Sequence, residues 1–464
     1  MKQVKYNQLI KSQRNIIYPI YEEQEIGFNI IETLGYDIHH ILNKQYNELT
    51  TIYTLGKYSF DTITFIGLGS LKNITTKRLR NAFDTVSKAI TQPSVFIVEK
   101  AITESIDVHK VTQLFVETHV LTSYKERIIG HDVKEMVDVD ILCVDENVEE
   151  DIVLSSAYGE GINYARRLAD TPSNLMTPKH LVEEAIALSQ EYRMECTILD
   201  KTKLEEMQAG GILSVNLGSH IPAYMICLKY TNSDTPYSAV VGKGLTFDSG
   251  GYNIKGNSYG MKYDMCGGAD VLGVMRILAK THAKVNVYGI IPTTENLISG
   301  AAYKPQDVIT TLSKKTVEIV STDAEGRLIL CDALTYAQQL GATHIIDLAT
   351  LTGACMTALG DVYTGVFSNS DEYYQKFVKA MIESDEKGWR LPLDEEYFAK
   401  LKSTSADFKN SAGRYGGASI AANFLESFIN EGVEWIHLDI AGTADNDGKG
   451  ATGAMIRSIV NMLK

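Results

Sequence analysis

The sequence contains the stretch Val241-Gly-Lys-Gly-Leu-Thr-Phe-Asp-Ser-Gly-Gly-Tyr-Asn-Ile-Lys255, which combines a glycine-rich loop with charged side chains. An apolar run, Ala239–Val241, leads into it and predicts a buried strand that opens into this loop. Lys243 and Asp248 therefore lie where the strand ends, and Lys255 lies just beyond the glycine pair. Open α/β sheets bind ligands at the carboxyl ends of their strands, so we expect a ligand site here.

Further acidic residues occur in two later segments. Asp264 follows within Met261–Gly268, whereas Asp323 and Glu325 come after a second strand, predicted over Val317–Val320. Side chains two residues apart on an extended backbone share a face, so these last two carboxylates are expected to converge. Carboxylates and lysines near strand ends favour a metal or polyanion site over structural ion pairs, although the spacing alone leaves the second alternative open.

Length and composition limit the classes of protein that fit. A chain of 464 residues exceeds one typical domain, so two domains are expected. The net charge of −14 argues against nucleic-acid binding, which usually requires a basic face. The first residues resemble no secretion signal and no run of about eighteen apolar residues occurs, so we expect a cytoplasmic protein without a membrane segment. The 6 cysteines form no C-x-x-C pair and are expected to be free thiols.

Residues 1–150 predict a small N-terminal α/β domain. Short apolar strands alternate there with helical patterns, as in βαβ units. The predicted elements are the strands Thr62–Gly67 and Ser94–Val98 and the helices Lys77–Ile90 and Val108–Thr122. The acidic run Asp138–Asp151 is expected to be an exposed connection to the next domain.

Residues 151–464 predict a larger α/β/α domain with a mixed, mostly parallel sheet. A helix over Ser155–Asp170 ends before Thr171-Pro172, and Pro178 suits the first turn of the next helix. The predicted strands are Cys196–Leu199, Met225–Lys229, Ala239–Val241, Val285–Ile291, Val317–Val320, His344–Leu348 and Trp435–Ile440, and the later helices are Ala269–Lys280, Glu325–Leu340 and Gly416–Asn430. The charged residues of interest follow the carboxyl ends of these strands.

The residue types at the predicted site suit divalent metal ions. Oxygen-rich ligand sets bind hard or borderline ions, and carboxylates shared by two ions are typical of two-metal hydrolases. A lysine can coordinate only as the neutral amine, which a nearby dication favours. Lys255 and Arg327 would then be free to stabilise a developing oxyanion or to hold an auxiliary anion.

The second domain resembles the leucyl aminopeptidases of peptidase family M17, the cytosol aminopeptidases. The resemblance covers most of residues 160–464, and the most specific motifs are those around Asp248 and Thr322-Asp-Ala-Glu-Gly-Arg-Leu328. The other matching segments are Thr171–Pro178, Met261–Gly268, Glu295-Asn296, Asp347–Ala354, Arg414–Ala418, His437–Gly442 and Gly450–Gly453. Residues 1–150 match no specific motif, although a variable N-terminal α/β domain is usual in this family.

The resemblance implies two divalent metal ions per subunit, Mn²⁺ or Zn²⁺, with Co²⁺ and Mg²⁺ as alternatives. It implies that one ion is held by Lys243, Asp248, Asp264 and Glu325, and that Asp248 and Glu325 bridge to a second ion, which Asp323 completes. Ser321 stands where the family usually has Asn, and this departure removes no ligand.

The resemblance also implies the reaction and the groups that assist it. The expected function is hydrolysis of the N-terminal residue, leucine or another mostly apolar residue, from short peptides. Lys255 would polarise the scissile carbonyl, and Arg327 would hold a bicarbonate ion that acts as general base. The implied substrate-binding residues are Met261, Thr350, Leu351, Gly353, Ala441 and Ala444.

The resemblance finally implies a homohexamer whose sites face an interior cavity. Two alternatives to the aminopeptidase remain: a different two-metal hydrolase, such as a phosphoesterase, and a non-catalytic protein that binds nucleic acid. The acidity of the chain argues against the second alternative. The histidines, His437 among them, are interpreted as structural, because none has a partner at metal-ligand spacing. Cys266, close to Asp264, is interpreted as a small buried filler and not as a nucleophile.

Overall fold

The computed structural model describes residues 1–5, 13–26, 28–124, 136–448 and 450–464. The chain divides into two compact units, Met1–Glu160 and Gly161–Lys464. This division falls within the helix Glu149–Asp170, at whose beginning the sequence places the domain boundary. Each unit has its own β-sheet, as expected for two α/β domains.

The described part of the first unit contains the strands β1 Gln3–Val4, β2 Asn15–Tyr21, β3 Leu49–Tyr53, β4 Thr62–Gly69, β5 Ser94–Ile97 and β6 Val139–Leu142. They form a six-stranded sheet in the order β1-β6-β5-β2-β4-β3. Its helices include Phe28–Leu34, Thr76–Ala89, Val108–Ser123 and the beginning of Glu149–Asp170. All neighbouring strands run parallel except β3 and β4. Two separate clusters of buried apolar residues pack around this sheet.

One expectation for this unit is wrong. The run Asp138–Asp151 is not an exposed connection throughout, because Val139–Leu142 forms the buried strand β6. This strand pairs with β1 and β5, so its apolar side chains lie inside the sheet. Asp140 within the strand and the acidic residues around it interrupt its apolar pattern in the sequence.

The second unit is organised around a larger mixed sheet, which confirms the predicted fold class. The described strands of the second unit are β7 Glu195–Leu199, β8 Tyr224–Thr231, β9 Ser238–Gly242, β10 Gly244–Asp248, β11 Asn286–Asn296, β12 Val308–Thr310, β13 Thr316–Glu318, β14 His344–Ala349, β15 Thr364–Ser368, β16 Gly388–Arg390, β17 Phe408–Lys409 and β18 Glu434–Asp439. Within the described residues, nine of them form one sheet in the order β16-β15-β18-β14-β9-β11-β8-β7, with β10 paired to β11. Most of these pairings are parallel, and β15–β18, β11–β8 and β8–β7 are antiparallel.

Helices surround this sheet and bury a large apolar core against it. The helices described there are Pro178–Tyr192, Lys201–Met207, Gly210–Asn216, Cys266–Lys280, Gly326–Gln339, Gly353–Leu359, Asp371–Ser384, Glu395–Ala399, Gly417–Glu426 and Ile456–Leu463. Among the described residues, none of the helices is long and apolar enough to cross a membrane. All 6 cysteines are free thiols, as expected.

The strand that precedes Asp323 and Glu325 does not belong to the large sheet. β13 pairs instead with β12 and β17 in a separate three-stranded sheet of the described residues. The sequence indicates a short apolar strand there, but it does not indicate which strands pair with it. One partner, β17, lies about ninety residues further along the chain. The two acidic residues therefore approach the site from a second, smaller sheet.

Candidate functional site

Asp248 ends β10, and its neighbour on β11 holds it in place. The two strands pair so that Asp248 lies opposite Asn296, whose Nδ2 donates to Asp248 Oδ1 at 2.8 Å. The N–H of Gly250 donates to the same oxygen at 2.8 Å. Gly250 and Gly251 have φ values of +85° and +62°, which glycine adopts most readily, and the chain turns back here. This turn places Lys255 Nζ 2.7 Å from Asp248 Oδ2.

Asp323 and Glu325 complete an acidic cluster with Asp248. Oxygen atoms of the three carboxylates lie within 4.8 Å of one another. Lys255 Nζ contacts Asp323 Oδ1 at 2.5 Å, so this lysine pairs with two members of the cluster. The expectation of an extended backbone is wrong here, because Asp323 lies in a turn and Glu325 has helical φ and ψ at the beginning of the helix Gly326–Gln339. Turn and helix together still bring the two carboxylates to one place.

Lys243 lies behind this cluster in a buried position. Its Nζ is 2.9 Å from Asp264 Oδ1, 2.9 Å from Glu325 Oε1 and 3.0 Å from the Thr350 carbonyl oxygen. Thr350 Oγ1 also donates to Asp264 Oδ1 at 2.7 Å. The structure therefore brings together all five acidic and basic residues expected to hold metal, with Lys255 beside them.

Three oxygen atoms at this site are buried and lack a hydrogen-bond donor in the described part of the chain. They are Asp264 Oδ2, Glu325 Oε2 and Asn296 Oδ1. Buried acceptors without partners are unfavourable and rare in native structures. Oxygen ligands in a group of carboxylates suit divalent cations, so the residues present fit the metal ions that the sequence predicts.

Burial and the neighbouring charges shift the pKa values of the cluster's members in different directions. Burial, assisted by Glu325 and Asp264, raises the pKa of Asp248 to about 8. Burial also raises the pKa values of Asp264 and Asp323 in spite of the lysines nearby. Burial acts in the same direction on Glu325, but the charges of Lys243 and Lys255 outweigh it and lower the pKa.

Both lysines are held as ammonium ions by these carboxylates. Burial alone would lower the pKa of Lys243, but Asp264 and Glu325 raise it above its ordinary value. The same balance, dominated by Asp248 and Glu325, raises the pKa of Lys255. A neutral Lys243 amine, as the resemblance implies, therefore requires a dication to replace this positive charge.

Arg327 lies in the first turn of the helix Gly326–Gln339 and is 7 % exposed. Its Nη1 donates to the Asn410 carbonyl oxygen at 2.7 Å, and its buried Nε has no acceptor among the described residues. Burial lowers the pKa of its guanidinium to about 10, which leaves it charged at neutral pH. A buried cation with an unused N–H group can hold a small anion.

The expected substrate-binding residues occupy different positions relative to the cluster. Thr350 touches it directly, and the N–H groups of Leu351 and Ala441 both donate to Asp439 Oδ1, at 3.3 and 3.2 Å. Gly353 is exposed at the beginning of a helix, Met261 begins the 3-10 helix that carries Asp264, and Ala444 is buried.

Several residues that organise the site have no role in the sequence prediction. Asp439 Oδ2 accepts a hydrogen bond from Thr352 Oγ1 at 2.6 Å and so fixes the loop that follows β14. Thr322 Oγ1 donates to the Gly250 carbonyl at 2.7 Å and joins the two acidic loops. Asn296, Thr322 and Asp439 lie inside motifs quoted above, and that was their only signal in the sequence.

His437 and Cys266 occupy structural positions, as expected. His437 is fully buried and its Nδ1 lies 2.6 Å from Asp347 Oδ1. Trp435 Nε1 donates to the other oxygen of Asp347 at 2.6 Å. Cys266 is 2 % exposed beneath the site, and burial raises its pKa, so its thiol is a poor nucleophile.

Two solved structures are similar to this chain over nearly its whole length. One is the bottromycin maturation enzyme BotP in complex with Mn, at 27% identity and a TM-score of 0.87, covering 97% of this chain and 99% of that one. The other is the bottromycin maturation enzyme BotP, at 26% identity and the same TM-score and coverage.

Family models match both units of the chain. The model of the cytosol aminopeptidase family, N-terminal domain, matches residues 42–127, where the sequence analysis found no specific motif. The model of the cytosol aminopeptidase family, catalytic domain, matches residues 163–460 and includes the whole acidic cluster. The chain therefore belongs to the cytosol aminopeptidase family, peptidase family M17, and is a metal-dependent aminopeptidase.

Proposed function

We propose that this protein is a leucyl aminopeptidase that removes N-terminal leucine and other, mostly apolar residues from short peptides. The observation that carries the proposal is the convergence of Asp248, Asp323 and Glu325 within 4.8 Å. Lys255, in contact with two of these carboxylates, adds a cation on the same side of the cluster.

Two divalent ions would be held by these residues. One ion would be held by Lys243, Asp248, Asp264 and Glu325, and the second by Asp323 together with Asp248 and Glu325. Bound there, the ions would supply Lewis acidity and lower the pKa of water. The Mn complex of BotP supports Mn²⁺ as one choice for this chain, beside Zn²⁺, Co²⁺ and Mg²⁺.

Lys255 would orient and stabilise the substrate during hydrolysis. Its Nζ lies at the partly open side of the cluster, with 21 % of the side chain exposed. An ammonium group at this place can donate a hydrogen bond to the scissile carbonyl oxygen as negative charge develops on it. Removal of a donor of this kind lowers kcat on the order of 10²–10³.

Arg327 would hold a bicarbonate ion, which can accept a proton during the reaction. Its guanidinium is buried and charged, and its Nε has no acceptor within the part of the chain that the structure describes, which supports this role. In the described residues, no histidine lies in the acidic cluster to act as the base instead.

The substrate would bind between the loop after β14 and the loop after β18. Thr350, Leu351 and Gly353 would line the cleft, and the pocket for the first side chain would be shaped by Met261, Ala441 and Ala444. The hydrogen bonds of Asp439 to both loops support this arrangement. A free α-amine can act as a metal ligand, so the enzyme should require an unblocked N-terminus.

We also propose a homohexamer that acts on short peptides in the cytoplasm and does not bind nucleic acid. The net charge of −14 supports the last point, since phosphate binding usually requires a basic surface. Sedimentation of the purified protein tests the assembly, and a fully active monomer would refute it.

The substrate class is tested by three model substrates in the presence of Mn²⁺. Leucine amide should be hydrolysed, whereas N-acetyl-leucine amide, which has no free amine, and a phosphate monoester should not. Hydrolysis of the acetylated amide at the same rate would contradict an N-terminal exopeptidase. Preferential hydrolysis of the phosphate ester would favour the phosphoesterase alternative.

A further inference from the structure

Asn410 is a fully buried residue that directly follows β17. This strand pairs in parallel with β13, with Glu318 opposite Lys409. Asn410 therefore lies beside the point where β13 ends and the chain continues into the turn that carries Asp323. Its own N–H donates to the Glu318 carbonyl oxygen at 3.0 Å.

The side-chain amide of Asn410 binds the backbone of that turn through both of its polar atoms. Oδ1 accepts from the N–H groups of Val320 at 2.8 Å and Ser321 at 3.2 Å. Nδ2 donates to the Ser321 carbonyl at 2.7 Å and, at a longer distance of 3.4 Å, to the Ala324 carbonyl. Val320 and Ser321 lie beyond the end of β13, outside its strand pairing. The Asn410 amide forms hydrogen bonds with their backbone of the kind that a neighbouring strand would form.

The backbone carbonyl of Asn410 makes a further contact, with Arg327. Nη1 of this arginine donates to it at 2.7 Å. One residue is therefore bonded both to the turn that carries Asp323 and to the guanidinium that lies beside Glu325.

Asp323 is the acidic residue of the cluster that most needs such support. Its side chain is 36 % exposed, and among the described residues its own N–H donates only to the nearby Ser321 Oγ, at 3.2 Å. Asp248, by contrast, is buried and is held by Asn296 and a backbone N–H of its own loop.

We propose that Asn410 is a positioning residue whose side-chain amide fixes the turn that carries Asp323 for metal binding. The expected loss of Mn²⁺ affinity requires only that the acidic cluster binds metal, whereas the expected loss of kcat on leucine amide rests on the proposed function. Groups that orient metal ligands typically contribute about 10–100-fold to metal affinity or activity.

Asn286 offers a matched control in the same unit. It is 5 % exposed, its Oδ1 accepts from the N–H groups of Asn232 and Ser233, and its Nδ2 donates to the carbonyls of Ser233 and Thr235. It lies at the beginning of β11, whereas the end of this strand approaches the site. The two asparagines therefore make the same kinds of hydrogen bond. Of the two, Asn410 alone makes them to the turn that carries Asp323.

The test compares Asn410→Ala with Asn286→Ala in the full-length, chelator-stripped protein, titrated with Mn²⁺ alone. Both variants should lower the thermal midpoint. Asn410→Ala should weaken the lower-affinity Mn²⁺ binding on the order of tenfold and lower kcat on leucine amide more than it changes KM. Asn286→Ala should leave Mn²⁺ affinity and kcat within about twofold of those of the unaltered protein. A change of this size is smaller than the loss of a contact that positions a metal ligand would cause.

Equal Mn²⁺ affinities in the two alanine variants would overturn the proposal and leave Asn410 with a role in stability only. If Asn410→Ala does not fold, Asn410→Asp and Asn286→Asp give the same comparison, because aspartate keeps the acceptor for Val320 and Ser321. If the unaltered protein binds Mn²⁺ but does not hydrolyse leucine amide, the proposed function fails, and the Mn²⁺ affinities still decide the role of Asn410.

Discussion

Gly326 packs directly against the Lys243 side chain, and the substitution Gly326→Ala tests whether Lys243 must lie where the structure places it. An added Cβ would lie 2.7 Å from Nζ, 2.8 Å from Cε and 3.0 Å from Cδ of Lys243. Nonbonded heavy atoms rest about 3.5–4.0 Å apart, so the lysine must withdraw by roughly 1 Å. Its three partners at 2.9, 2.9 and 3.0 Å prevent this without the loss of at least one contact.

The protein should still fold, because the added methyl group costs about 1–3 kcal/mol and better helix propensity returns up to ~1 kcal/mol. A misplacement of about 1 Å at a reacting site can lower the rate about 10²-fold, so kcat on leucine amide should fall by that order. The control is Gly300→Ala, because Gly300 is exposed and a Cβ there would touch nothing within 4 Å. Near-normal kcat and Mn²⁺ affinity in Gly326→Ala would refute the proposed role of Lys243.

Other substitutions test the remaining groups. Lys243→Arg should reduce the amount of bound metal, because arginine cannot supply a neutral amine. Lys255→Arg should keep the metal and lower kcat about 10²–10³-fold. Elemental analysis of each variant, beside its kcat, would show whether the two roles are reversed. Glu325→Ala should abolish hydrolysis, and retention of about two ions with normal turnover would contradict its bridging position. Asp347→Asn tests the buried His437 pair: burial lowers the pKa of His437, but the charge and hydrogen bond of Asp347 outweigh it and raise the pKa. The pair therefore stabilises the fold fully below about pH 6.5 and loses this contribution as pH rises through the higher folded pKa, so the variant should lower the thermal midpoint more near pH 5.5 than near pH 9. Equal shifts at both pH values would contradict a charged pair.

The sequence predicted which residues form the site, but it predicted less well the backbone that carries them. The strand before Lys243 and the helix after Glu325 have strong local patterns, and the structure confirms both. The charged residues could be grouped because they follow strand ends, where α/β sheets place ligand sites. The backbone at Asp323 was wrongly expected to be extended, because a turn and a helix start give no periodic signal.

Long-range hydrogen bonds account for most of what the sequence could not predict. Asn410 contacts Ser321 across 89 positions, and Asp439 contacts Thr352 across 87. Such partners are set by the pairing of β13 with β17 and of β14 with β18, and no local pattern fixes which strands become neighbours. The strand β6 was similarly missed, because Asp140 within it and the acidic residues around it interrupt its apolar pattern.

The dependence of hydrolysis on bound metal is tested by the return of Mn²⁺ to chelator-stripped protein, with bound metal and hydrolysis of leucine amide followed together. We expect no hydrolysis without metal and an activity that rises until two ions are bound per subunit. Leucine amide hydrolysis at the full rate by protein that contains no metal would contradict this expectation.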